Sequence, residues 1–208
     1  IGEFYGKLVE HLQPTHDIYT FGYDWRLTLS MSAARLESTI ADITVKAPGQ
    51  PISIIAHSMG GLVVRDMMRL HATSWAKYIA QKNNRVLLLG TPWLGSHLIM
   101  EVFTGHQSRV RQINLMDTHH DRDALIRVFN NYEGLYDLLP VNNEDFETVG
   151  FWNTLNASLG IEKVLIPPLL NYFKNYKSAI LSFNANASLN NIFYLAGKDD
   201  LTTCTYRI

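Results

Sequence analysis

Ser58 lies in the run Ile54-Ile55-Ala56-His57-Ser58-Met59-Gly60-Gly61, where an apolar stretch gives way to a serine with a small residue two places to either side. A hydroxyl in that setting can serve as a nucleophile. Small residues at those positions let the chain bend sharply from a strand into a helix and lift the side chain clear of the backbone. Ala56 stands where the pattern G-x-S-x-G has its first glycine. The bend also leaves the Met59 N–H at a helix start, without an acceptor in its own helix and free to donate to an oxyanion growing on an attacked carbonyl. The plainer alternative is that Ser58 caps the following helix. A cap, however, needs neither the small neighbours nor the apolar strand before it.

A nucleophilic serine needs a base to take its proton and a carboxylate to orient that base. Asp200 suits the carboxylate. It follows the strand-like run Asn191 to Ala196, stands three residues after Gly197, and comes after the serine in the expected chain order. Asp199 is its near competitor, and two solvated loop aspartates are the bland reading. His57 is adjacent to Ser58 on a sharp turn, so its side chain should diverge and pack nearby rather than act as the base. All eight histidines precede Asp200, whereas the base is expected last. The catalytic histidine is therefore expected beyond Ile208, and the second oxyanion donor in a loop before Ile1. Both ends read as cuts, and the chain as given should show little triad-driven turnover. A homologue that has lost its triad is the other explanation.

The elements that must position these groups alternate along the chain. Glu3 to Leu12 reads as an amphipathic helix closed by Pro14, Asp17 to Tyr23 as a strand, and Met31 to Lys46 as a helix with Leu36, Ile40 and Ile43 in register. Pro51 to Ala56 and Arg85 to Gly90 are near-continuous apolar runs that suit parallel strands covered on both faces, with the helix Met59 to Leu70 between them. The alternation predicts an α/β fold with a doubly wound, mainly parallel sheet. From Pro92 to about Leu189 it breaks, which is far too long for a plain loop. Helical patterning at Asp121 to Asn131, and a run to Leu170 interrupted by Pro167 and Pro168, point to an inserted helical cap. The expected division is a core of residues 1–97 and 178–208 with a cap over about 98–177.

Composition narrows the function. At 208 residues and 47% hydrophobic the chain folds around a sizeable core. Its 18 Lys and Arg against 19 Asp and Glu leave a net charge of -1, with no field to hold a nucleic acid. One cysteine, Cys204, excludes an internal disulfide framework. The cluster Asp117-Thr118-His119-His120-Asp121 is a weak metal signal, because adjacent histidines lack a partner one helical turn away. No metal and no cofactor are implied. Asn156-Ala157-Ser158 and Asn186-Ala187-Ser188 match the glycosylation triplet, which also arises by chance.

Four segments together resemble the lecithin:cholesterol acyltransferase and phospholipid:diacylglycerol acyltransferase group of α/β-hydrolases. Tyr23-Asp24-Trp25-Arg26 is similar to the family's Y-D-W-R, and Ala56 to Gly61 to its [GA]-H-S-M-G-G bend. Gly90-Thr91-Pro92-Trp93-Leu94-Gly95-Ser96 resembles G-x-P-W-x-G-S, and Gly134 to Pro140 resembles S-x-Y-x-L-L-P. The chain departs from the family at Ala56, at Thr91, and in lacking the lid cysteines of secreted members. The resemblance implies a nucleophile at Ser58, an acid at Asp200, a lipid or other ester substrate, and either O-acyltransferase or lipase-like esterase chemistry. Trp25, Trp93 and Leu94, just past strand ends near the bend, are the candidate acyl-chain contacts, with core packing as the alternative and an Asp24–Arg26 ion pair beside them. Phe146, Phe151, Trp152 and Val164 to Leu170 could form a lid that meets a membrane interface, or plain cap core. A catalytically silent homologue that binds a lipid or a protein in the same cleft is the rival function.

Overall fold

The computed structural model describes residues 2–106, 121–161, 167–184 and 191–198. Its centre is a parallel sheet of three strands, β1 (Ser53–His57), β2 (Arg85–Leu89) and β3 (Ile192–Leu195), hydrogen-bonded in that order. Helices α1 (Gly2–Leu12) and α2 (Leu29–Lys46) precede β1, and α3 (Met59–Leu70) and α4 (Ala72–Ala80) connect β1 to β2. Between β2 and β3 lie α5 (Leu98–Phe103), α6 (Arg122–Asn130), α7 (Glu133–Tyr136), a 3-10 turn (Asp145–Glu147), α8 (Val149–Ser158) and α9 (Pro167–Leu181).

The sheet register places Ala56 beside Leu88 and His57 beside Leu89. One face carries Ala56, Val86 and Leu88, all buried. The other presents Ile55, Phe193 and Leu195, which are 42%, 52% and 63% exposed, so among the described residues it is the more open face. Helix α2 buries Leu29, Ala33, Leu36 and Ile40 at helical spacing, and packs chiefly against α3. Helix α3 is buried almost all round, including Arg65 and Asp66. Asp121 caps α6 by accepting from the Ala124 N–H at 2.7 Å, and Thr148 accepts from Phe151 N–H at the start of α8.

Most expected elements are in place, with three differences. Residues 17–24 form no strand. Phe21 and Tyr23 pack on the core, but the segment finds no ladder partner among the described residues, and β-rich composition alone does not make a strand without one. Helix α2 starts at Leu29, two residues before Met31, because the Asp137 carboxylate accepts the Leu29 N–H at 2.7 Å. Pro167 and Pro168 begin a helix rather than interrupt one. Proline lacks only an N–H that the first turn leaves unpaired.

A single hydrophobic cluster joins both parts of the chain, from Leu29 and Leu62 to Phe103, Tyr136, Phe146, Trp152, Phe173 and Ile180. Phe146 and Trp152 are interior residues, and the indole N–H of Trp152 donates to the Phe146 carbonyl at 2.9 Å. Neither side chain is exposed as a membrane-facing lid residue would be. Asn156 is buried in α8, out of reach of a glycan. The second triplet, residues 162–166 of the apolar run, Cys204 and the pair His119-His120 lie outside the described residues. No described helix is long and apolar enough to cross a membrane.

Candidate active site

Ser58 connects the last residue of β1 to the first of α3 with φ 53° and ψ -127°. A side chain beyond glycine takes that conformation at a cost of about 1–3 kcal/mol, so the surroundings must impose it. They do so from both sides. The Ser58 N–H donates to the Leu89 carbonyl at 2.9 Å, extending the β1–β2 ladder, and the Gly61 N–H donates back to the Ser58 carbonyl at 3.0 Å. The Ser58 side chain makes no capping hydrogen bond, so the capping alternative is not realised. The hydroxyl is half-buried on a strained bend at the carboxyl end of the sheet.

The small residues do what the bend asks of them. A methyl built on Gly60 would lie 3.8 Å from the Ala56 Cβ and 3.9 Å from the Tyr23 hydroxyl, in ordinary van der Waals contact with both. Gly61 is the tighter position. A Cβ there would sit 2.8 Å from the Thr91 Cβ, and buried Thr91 fills the space instead. Met59 opens α3, and its N–H has no acceptor within the helix.

His57 diverges from the bend as expected, but it is exposed rather than packed. Its Nδ1 lies 2.7 Å from the Tyr5 hydroxyl of α1. Tyr23 stands on the same side, where burial and the neighbouring Tyr5 push its phenol up to about 12. Neither tyrosine was given a place beside the bend from the sequence, because segments 2–12 and 17–24 meet it only in three dimensions. Asp200 and Asp199 lie outside the described residues.

The candidate acyl-chain residues differ in their surroundings. Trp25 is 43% exposed and meets Tyr132 edge to face at 5.5 Å. It flanks an open groove of about 380 Å³ lined by Asp24, Arg26, Leu27, Asn131, Tyr132 and Glu133. Asp24 and Arg26 form the expected ion pair at 2.7 Å, and it holds the Asp24 carboxyl down to about 2. Trp93 is half-buried against the core, whereas Leu94 is 47% exposed.

The four sequence motifs interlock. Gly134 donates its N–H to the Arg26 carbonyl at 3.1 Å, and a Cβ there would lie 2.5 Å from the Leu27 carbonyl oxygen. Ser96 N–H donates to Leu138 and Val141 N–H to Leu94, at 2.8 and 2.9 Å. Gly95, at φ 93°, allows the Leu139 carbonyl to approach. Asp24-Trp25-Arg26 is thus tied to Gly134–Pro140, that segment to the 91–96 turn, and the turn through Thr91 to Gly61.

Beneath them runs a buried polar network that sequence reading missed. Arg65, 1% exposed, donates to the Trp93 carbonyl and, at 2.5 Å, to the Tyr176 hydroxyl. Asp66 lies 3.8 Å from Arg65 Nε and 3.4 Å from Arg69, yet burial outweighs both cations and pushes its carboxyl up. Tyr172 donates to Asp137 at 2.5 Å, and burial pushes Asp137 up to about 7. One available signal was an Arg-Asp pair amid Val63, Val64, Met67 and Met68, which puts charge on a helix with no polar face to spare. Among the described residues no group of three or more His, Cys, Asp or Glu is placed to hold a metal.

Comparison with known proteins bears on the family and the fold. The sequence model of a family described as Lecithin:cholesterol acyltransferase matches residues 4–204. Three curated relatives match shorter stretches. The uncharacterized protein YJR098C of Saccharomyces cerevisiae is 41% identical over 66 residues, 30% of this chain and 10% of that protein. From Arabidopsis thaliana, Phospholipase A(1) LCAT3 is 30% identical over 81 residues, 38% of this chain and 17% of that protein. Lecithin-cholesterol acyltransferase-like 4, also from Arabidopsis thaliana, is 39% identical over 69 residues, 30% and 12% of the two chains. The matched stretches thus span less than a fifth of these relatives. Among solved structures, the crystal structure of the Tle4–Tli4 complex superposes with TM-score 0.52 at 15% identity, covering 80% of this chain and 42% of that one, a likeness of fold.

Proposed function

This chain belongs to the lecithin:cholesterol acyltransferase family of α/β-hydrolase fold, and from that premise we propose that it carries the nucleophile of a serine-dependent lipid O-acyltransferase or lipase-like esterase. The observation that carries the reading is Ser58 itself, held at φ 53° with its hydroxyl uncommitted to the helix it precedes. The Phospholipase A(1) relative supports a lipid ester as the substrate class.

In this mechanism the Ser58 oxygen bonds to the ester carbonyl carbon while its proton passes to a histidine base, and the carbonyl electrons move onto oxygen, held by the Met59 N–H. Collapse of that intermediate breaks the bond to the alcohol, which leaves with the proton, and the acyl group stays on Ser58. Asp200 orients the base. An acceptor alcohol or water then takes the acyl group, which distinguishes transferase from esterase. Residues 98–177 act as a cap on a core of 1–97 and 178–208, with Trp25, Trp93 and Leu94 facing the acyl chain.

The test is labelling of the full-length protein with a fluorophosphonate. Wild type should be labelled at Ser58 and Ser58→Ala should not, with a loss of ester turnover of about a thousandfold or more. A folded wild type that stays unlabelled overturns the reading and favours a silent homologue that binds lipid or protein in the same cleft.

A further inference from the structure

We propose that Arg65 is a positioning residue that sets acyl-chain selectivity from inside the molecule, by fixing the turn of Trp93 and Leu94 relative to the helix that begins at Ser58. The inference rests on the reading of Ser58 and that turn given above. Arg65 is nearly two helical turns beyond Ser58 on α3, so it moves with the bend as one rigid element. Its guanidinium reaches two other parts of the chain. It donates to the Trp93 carbonyl and to the Tyr176 hydroxyl of α9, the latter at 2.5 Å. Its carbon centre lies 5.8 Å from the Trp93 ring and 5.7 Å from the Tyr176 ring. Asp66 and Arg69 complete the charge around it.

Such an arrangement suits arginine alone. A planar fork donates in two directions while its faces lie near aromatic rings, and lysine offers one flexible point charge. The Trp93 carbonyl belongs to the peptide that leads into exposed Leu94, so moving Arg65 displaces both candidate contacts without touching Ser58. A residue that merely supported the fold would lower every activity in parallel. A positioning residue changes the ranking of substrates.

The experiment uses full-length protein bearing Arg65→Lys, Arg65→Met or Tyr176→Phe, the last removing only a hydroxyl should the arginine variants fail to fold. Two quantities are read: the rate of fluorophosphonate labelling, and kcat/KM on p-nitrophenyl butyrate against palmitate. The expected result is a labelling rate within about twofold of wild type and a palmitate-to-butyrate ratio changed about fivefold or more in both Arg65 variants, less in Tyr176→Phe. Lysine should not rescue. An unchanged ratio in folded variants, or a parallel fall of both substrates and of labelling, overturns the inference. An unlabelled wild type instead removes the reading on which it rests.

Discussion

The bend at Ser58 and the aromatic cluster around Trp152 are built on opposite principles. At the bend a residue is forced into costly backbone geometry, held by two backbone hydrogen bonds and flanked two places to either side by alanine and glycine. Around Trp152, the rings of Phe103, Phe146, Phe151 and Tyr136 meet at centroid distances of 5.0 to 5.9 Å in edge-on and tilted arrangements, and Phe146, Tyr136 and Trp152 are fully buried. One region spends stability on presenting an atom, and the other supplies stability through contact. The contrast teaches that the long segment after β2 is no loose cover. Its aromatic residues share the core with α2 and α3, so it helps to hold the bend in shape.

The contrast can be broken most severely at Trp152. Trp152→Ala removes a buried indole and leaves its Phe146 carbonyl partner unpaired, and should cost about 3–5 kcal/mol in denaturant unfolding. A loss below about 1 kcal/mol would mean that the cluster is not a supporting core.

Next is the pH dependence at Asp137. Its folded carboxyl titrates near 7 against an ordinary value of 3.8. The folded state therefore keeps a proton that the unfolded chain has lost. Stability should fall as pH rises from about 4 to about 7, by up to about 4 kcal/mol, and change little from this group above that. Asp137→Asn should flatten most of the slope, leaving a fall from Asp66 that is opposed by a rise from His97, whose imidazole burial pushes down. A wild-type stability that rises across this range would refute the assignment.

Gly134→Ala should cost about 1–3 kcal/mol by driving a methyl against the Trp25 and Leu27 carbonyls, and thermal melts would register it. The smallest effect sharpens the comparison from the other side. Because glycine tolerates positive φ and alanine does not, Ser58→Gly should be more stable than Ser58→Ala by about 1 kcal/mol. Equal melting temperatures would mean that the bend is not strained.

Much of this was legible in the sequence. The apolar runs at Ile54 and Val86 and the small residues about Ser58 dictated a strand, a bend and a helix, because periodicity and residue size are local properties. The interlock of Gly134 with Arg26, the Tyr5–His57 contact and the fork of Arg65 were not legible, since each joins residues 28 or more positions apart whose types carry no mark of their partners. Residues 17–24 show the converse failure. Their composition favours a strand, but a strand is a property of two segments and only one was in view.

The pairing of β2 with β3 joins Leu89 to Leu195 across about a hundred intervening residues. A contact so distant along the chain is slow to close, and during synthesis it must wait for the whole intervening segment to leave the ribosome. Tyr194, on that late strand, donates its hydroxyl to the Thr91 carbonyl beside Gly61. The packing behind Ser58 thus waits for β3, which builds an interval into biosynthesis between making that residue and closing the sheet beside it.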